Sequence, residues 1–166
     1  MSASYELHNK TGVTMYKHIL IPTDGSAESR KAIRQGIALA KKLGARVTGF
    51  YSPEQYEVLA YGEYFPPNLI SRTDWNKRSK QTAGKHLAAI EKAATAAGVR
   101  YQGYFKESIA PWRAIVDAAR AKKCDLIFMA SHGRTGLPGI VLGSQASKVL
   151  SHSSIPVLVH KSGKKR

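Results

Sequence analysis

With 166 residues the chain has the length of one domain with a real core, and its apolar runs are only strand-length, which excludes a membrane-spanning helix. Its single cysteine, Cys124, excludes a disulfide framework or a zinc site built within the chain. Twenty-six Lys and Arg against eleven Asp and Glu give a formal charge of +15, but the cations are scattered and accompany no helix-turn-helix, RNA-binding aromatic signature or zinc-finger spacing, so nucleic acid is not the expected partner.

Residues 1–14 are polar and without period and read as a disordered extension, the domain proper starting at Met15-Tyr16-Lys17 and running over residues 15–160. No signal peptide opens the chain, so a soluble, cytoplasmic protein is expected. His18 to Pro22 is a short apolar strand that Pro22-Thr23-Asp24-Gly25-Ser26 breaks. Ser26 then caps a helix, with Glu28 in its first turn, Ala32, Ile33, Ile37, Ala40 and Leu43 at helical spacing, and Gly44 as its stop. Arg46 to Tyr51 is the second strand. Residues 52–70 turn irregular, with Pro53, Gly62, Pro66 and Pro67 among Tyr56, Tyr61, Tyr64 and Phe65. A stretch of this kind reads equally as a cover over a ligand and as a flap completing the core or a dimer contact.

Arg72 to Ala97 predicts a long helix whose buried stripe is Leu87, Ile90, Ala94 and Ala97, with Lys and Arg on its other side. Val99 to Lys106 alternates as an edge strand does. Pro111 suits the first turn of the next helix, whose stripe is Trp112, Ile115, Val116 and Ala119 and whose end is near Lys123. Leu126 to Ala130 is the fourth strand, apolar throughout, followed by a loop with Gly133, Gly136, Gly139 and Gly143, a short helix over Gln145 to Leu150, and a fifth strand over Ser154 to His160. Residues 161–166 form a basic tail.

Five apolar strands alternating with four helices predict an α/β fold, an open five-stranded parallel sheet with helices on both faces. Ligands of such sheets lie beyond the carboxyl ends of the strands where the winding reverses, here between strands one and four, in the order 3-2-1-4-5. The two loops meeting there begin with Thr23-Asp24 and with Ala130-Ser131. A carboxylate at a strand end accepts hydrogen bonds from ribose hydroxyls, and the unused N–H groups of a helix start favour phosphate. Alone, Asp24 reads first as a turn or capping residue and Ser144 as a helix cap; opposite a glycine loop the ligand reading of Asp24 comes forward. His132 reads as a loop brace, since spacing places no nucleophile and orienting carboxylate beside it.

Pro22-Thr23-Asp24, Met129-Ala130-Ser131-His132-Gly133 with nine residues before Gly143-Ser144, and Ile155-Pro156-Val157-Leu158-Val159, in that order, resemble the universal stress protein family over essentially all of residues 15–160. The resemblance implies an adenine nucleotide alpha hydrolase-like fold and a homodimer joined through the last strand, residues 155–160. One branch of the family binds ATP or AMP and carries Gly-x-x-Gly, nine residues, then Gly-Ser or Gly-Thr; this chain has Ala130 at the first position and keeps the rest. Carried over by position, Asp24 takes the ribose, Pro22 and Thr23 lie near adenine, Ser52 borders the base, and Gly133, Gly143, Ser144 and Gln145 cradle the phosphates. Met129, Ala130, Ser131 and Ala146 complete the site, and Arg134 is a further phosphate contact.

The implied function is a dimeric stress-response regulator whose bound ATP or AMP, with or without Mg²⁺, sets a conformation read by a protein partner not identifiable from sequence. Binding rather than turnover is expected, with a slow ATPase at most, since the chain has no Walker lysine loop, no arginine finger assignable in cis and no acidic pair for Mg²⁺. Ala130 favours the alternative, a family member that binds no nucleotide and serves as a protein-interaction module. An adenylate-forming enzyme is a third reading, against which stands the lack of a Ser-Gly-Gly-x-Asp-Ser loop.

Overall fold

The computed structural model describes residues 15–53, 56, 71–133 and 142–161. The chain runs β1 (His18–Pro22), α1 (Ala27–Leu43), β2 (Arg46–Tyr51), α2 (Arg72–Ala97), β3 (Tyr101–Phe105), α3 (Pro111–Ala121), β4 (Leu126–Ala130), α4 (Ser144–His152) and β5 (Val157–His160). The strands form one parallel sheet in the order β3-β2-β1-β4-β5, as expected.

Alternation along the strands divides the core into two layers. Ile19, Ile21, Leu126 and Phe128 point to the face covered by α1 and α2, where they meet Ile33, Ile37, Leu87 and Ile90. Leu20, Ile127 and Met129, one residue out of phase, point to the face covered by α3 and α4, where they meet Ile115, Val116, Ala119 and Val149. Ile19, Leu20, Ile21 and Ile127 are all fully buried, which is why these strands read as unbroken apolar runs.

The helix ends follow from local chemistry. Ser26 caps α1 by accepting from the Ser29 N–H, and Gly44 closes it in a left-handed conformation. Pro111 occupies the start of α3 as its missing N–H permits. Some boundaries differ from expectation, as where the short helix expected over Gln145 to Leu150 runs from Ser144 to His152. Val99 belongs to the C-terminal cap of α2, its N–H bonded to the Ala94 carbonyl, so β3 starts later. α3 stops at Ala121 because Lys123 adopts a left-handed φ of 54°, bringing the Cys124 N–H back to the Ala119 carbonyl. β5 loses its first residues to a turn in which Ser153 Oγ accepts from the Ile155 N–H and donates to the Ile155 carbonyl. No helix among the described residues is long and apolar enough to cross a membrane.

Candidate functional site

Past the end of β1, the Thr23 N–H donates to the Phe50 carbonyl at 2.9 Å, holding the chain beside β2. Thr23 Oγ1 accepts from the Gly25 N–H at 3.1 Å and lies 3.1 Å from Ser29 Oγ. Asp24 Oδ1 accepts from the Ser26 N–H at 2.9 Å, closing an Asx turn that fixes the carboxylate with Oδ2 toward the loop after β4. Gly25 has φ of +78°, and a side chain there would collide with the imidazole of His86 from α2. That imidazole stacks on Tyr51, ring centroids 4.5 Å apart, so the chain after Asp24 is seated on a packed aromatic pair.

On the other side, Ala130 ends β4 in register with His160 of β5. Its φ is not in the left-handed region, so the alanine in the glycine position meets no backbone strain. The Ser131 N–H donates to the His160 carbonyl at 2.9 Å, and the Gly143 N–H donates to the Ser131 carbonyl at 2.8 Å. These two bonds clasp the beginning and the end of the glycine loop against the sheet. A Cβ on Gly143 would stand 3.2 Å from the Ser131 carbonyl, and one on Gly133 would stand 2.6 Å from Asp24 Oδ2. Each glycine is there for closeness rather than for an unusual φ. His132 lies with Nδ1 3.1 Å from Ser131 Oγ, while its buried Nε2 has no hydrogen-bond partner among the described residues. Among the described residues the contact of its Nδ1 is with the neighbouring Ser131 hydroxyl, the arrangement of a loop brace.

Gly143 is the N-cap of α4 and supplies no side-chain acceptor, which leaves the N–H groups of Ser144, Gln145 and Ala146 uncapped by it at the positive end of the helix. The Gln145 side chain is engaged elsewhere: its Oε1 accepts from the Trp112 N–H at 2.9 Å, capping α3, whose own N-cap residue, Ala110, has no side chain able to do so. What Gln145 presents to an anion is therefore its backbone N–H. Arg134, Gly136 and Gly139 lie outside the described residues.

These elements enclose one cleft of about 1070 Å³. Pro22, Thr23, Asp24, Ser52, Met129, Ala130, Ser131, Gly133, Gly143, Ser144, Gln145 and Ala146, all named from the sequence, line it together. Thr23, Met129, Ser131 and Ala146 are buried and form its floor, whereas Ser52 is held at the rim by donating Oγ to the Lys106 carbonyl at 3.0 Å. The irregular stretch 52–70 is described only at Ser52, Pro53 and Tyr56; the first two line the cleft. A wall contributed by α2, with Trp75, Arg78, Ser79 and Thr82, was not legible beforehand. Its i, i+3, i+4, i+7 spacing is the available signal, hidden because these residues are mostly polar and read as a solvated helix side.

The sequence model of the universal stress protein family matches residues 15–161. Universal stress protein MJ0531 of Methanocaldococcus jannaschii is 35% identical over 156 residues, covering 94% of this chain and 88% of its own. The solved structure of MJ0577 from the same organism superposes with a TM-score of 0.75 at 28% identity, covering 91% of this chain and 99% of its own. A universal stress protein solved in complex with cAMP shares the fold, with a TM-score of 0.60 at 23% identity over 88% of this chain and 97% of its own.

Proposed function

Because this chain belongs to the universal stress protein family, we propose that its cleft binds an adenine mononucleotide, ATP or AMP, and that the bound form acts as a dimeric, cytoplasmic stress-response regulator read by a protein partner. The observation that carries this reading is the juxtaposition of Asp24 Oδ2 with Gly133, beside the uncapped start of α4. An acceptor for sugar hydroxyls then faces donors for phosphate across one crevice. The cAMP complex of a fold relative supports an adenylate as the ligand class.

In this reading Asp24 accepts from the ribose, and the N–H groups of Ser144, Gln145 and Ala146 receive the phosphates, with Arg134 as a further contact. Pro22, Thr23 and Ser52 border the base. Where ATP is the ligand, Mg²⁺ would accompany it through its phosphates. The activity is binding, with hydrolysis slow at most.

Isothermal titration with ATP and AMP, each with and without Mg²⁺ and against a pyrimidine nucleotide, tests it. Saturable adenine-selective binding that weakens in Asp24→Asn is expected. A flat titration with every nucleotide would leave the alternative, a protein-interaction module without a nucleotide.

A further inference from the structure

The buried stripe of α2 consists of Ser79, Ala83, Leu87, Ile90 and Ala94. The last four pack in the apolar core between α1, α2 and the sheet, and Ser79 carries the stripe on toward the cleft. It lines the cleft, is 5% exposed, and its Oγ has no hydrogen-bond partner among the described residues. A hydroxyl buried without a partner destabilises the fold, and alanine in its place would remove that cost. The stripe therefore turns polar where it enters the cleft, and the polar atom is unused among the described residues.

Two neighbours define what that atom can meet. Trp75, one turn before Ser79, also lines the cleft, and its Nε1 donates to Glu107 Oε1 at 3.2 Å, which fixes the plane of a half-buried indole. Thr82 follows on the same side. Further along, His86 abuts Gly25, the residue after Asp24. At 1.5 Å per residue, Thr82 stands about 6 Å and Ser79 about 10 Å along α2 from that contact. The stripe thus climbs away from the carboxylate on the side of β2 and β3, opposite the α4 N-terminus where phosphate would lie.

We propose that this face of α2 is the base-reading wall of the cleft: Ser79 Oγ turns about its one side-chain torsion to hydrogen-bond the edge of the nucleobase, and the fixed Trp75 indole packs against the ring. The inference rests on the nucleotide reading above and adds to it the element that selects the base. A hydroxyl both donates and accepts, so it suits the adjacent ring nitrogen and amino group of adenine.

The test compares AMP with ribose 5-phosphate, the latter measured by displacement of AMP, on the full chain. Ser79→Ala should lower AMP affinity about two- to tenfold, the range of one hydrogen bond, leave ribose 5-phosphate unchanged, and leave the thermal midpoint unchanged or raised. Trp75→Ala should likewise weaken AMP alone, and in a Trp112→Phe background the emission of Trp75 should be quenched by AMP and not by ribose 5-phosphate. If Asp24→Asn weakens both probes while neither α2 variant changes the ratio of their affinities, the wall is excluded and the nucleotide cleft stands. If AMP does not bind at all, both fall together.

Discussion

Asp24 Oδ2 lies 2.6 Å from the point that a Cβ on Gly133 would occupy, so the end of β1 and the loop after β4 touch through a side chain that is absent. Alanine at 133 cannot coexist with this placement of Asp24. The inexpensive response is rotation of the carboxylate, which also gives up its bond to the Ser26 N–H. Gly133→Ala is expected to lower the thermal midpoint little and AMP affinity about tenfold or more, the scale of hydrogen bonds to a charged acceptor. A double-mutant cycle with Asp24→Asn checks the route: the two losses should not add, because both remove the same contact. Additive losses would mean that Gly133 acts independently of Asp24.

This meeting of loops was legible in the sequence because it follows from two local facts and one topological rule. Ile19 to Ile21 and Leu126 to Met129 are apolar on both faces, hence central parallel strands, and central strands on either side of the winding reversal end beside each other. What escaped was whatever depends on distant partners. Gln145 reads as a phosphate contact, and only Trp112, 33 residues earlier, shows that its side chain is engaged and that the backbone N–H is what it offers. Ala130 reads as a departure from the glycine of the nucleotide-binding motif, and only its pairing with His160 shows that it costs no backbone strain. Ser79 is polar within a helix rich in Lys and Arg, and only the packing of α1 and the sheet shows that it shares a stripe with Leu87 and Ile90.

Gln145→Ala separates stability from binding. It leaves the Trp112 N–H without its acceptor at the start of a helix that has no cap of its own. The expected loss is about 1 kcal/mol, typical of a removed N-terminal cap, measurable as a lower urea midpoint with an unchanged slope. AMP affinity should stay within about twofold, since only the backbone N–H of residue 145 is offered to phosphate and a change that small is under 0.5 kcal/mol. A large loss of affinity with unchanged stability would show that the side chain leaves Trp112 when ligand binds.

Acid should weaken the fold through His18. It is buried, its Nε2 lies 2.7 Å from Thr48 Oγ1, and Gln102 Nε2 donates to the same oxygen at 2.8 Å. Burial, reinforced by the positive charge of Arg46, lowers its pKa below the ordinary 6.5; the backbone carbonyls of Lys122 and Lys123 and the carboxylate of Asp125 oppose this only in part. Below pH 6.5 the unfolded chain therefore takes up a proton that the folded chain refuses, so stability rises with pH through this window and is lost as pH falls. The contribution is at most about 1.4 kcal/mol per pH unit. Urea midpoints of the wild type between pH 5 and 7 should fall more steeply toward acid than those of His18→Gln, and parallel curves would assign the acid sensitivity elsewhere.

The free edge of β5 is where a second copy would add. Val157 and Val159 pack against the α3 and α4 layer, so charging them would damage the protomer itself. Leu158 points the other way, beside Phe128 in register, and is 40% exposed because α1 packs on β4 and leaves the last strand uncovered on that side. The Pro156 carbonyl accepts from Ile127 of β4 and the His160 carbonyl from Ser131 just past its end, which by the alternation of a strand turns the backbone groups of Val157 and Val159 outward. An apolar side chain and outward-turned ladder groups on one edge suit strand-to-strand pairing of two copies. Leu158→Lys should therefore convert a dimer to a monomer in light scattering while the far-ultraviolet dichroism is kept, and the melting temperature should cease to depend on protein concentration. A dimer that persists in Leu158→Lys, and also in Val159→Pro, which removes one outward N–H, would place the contact on another surface.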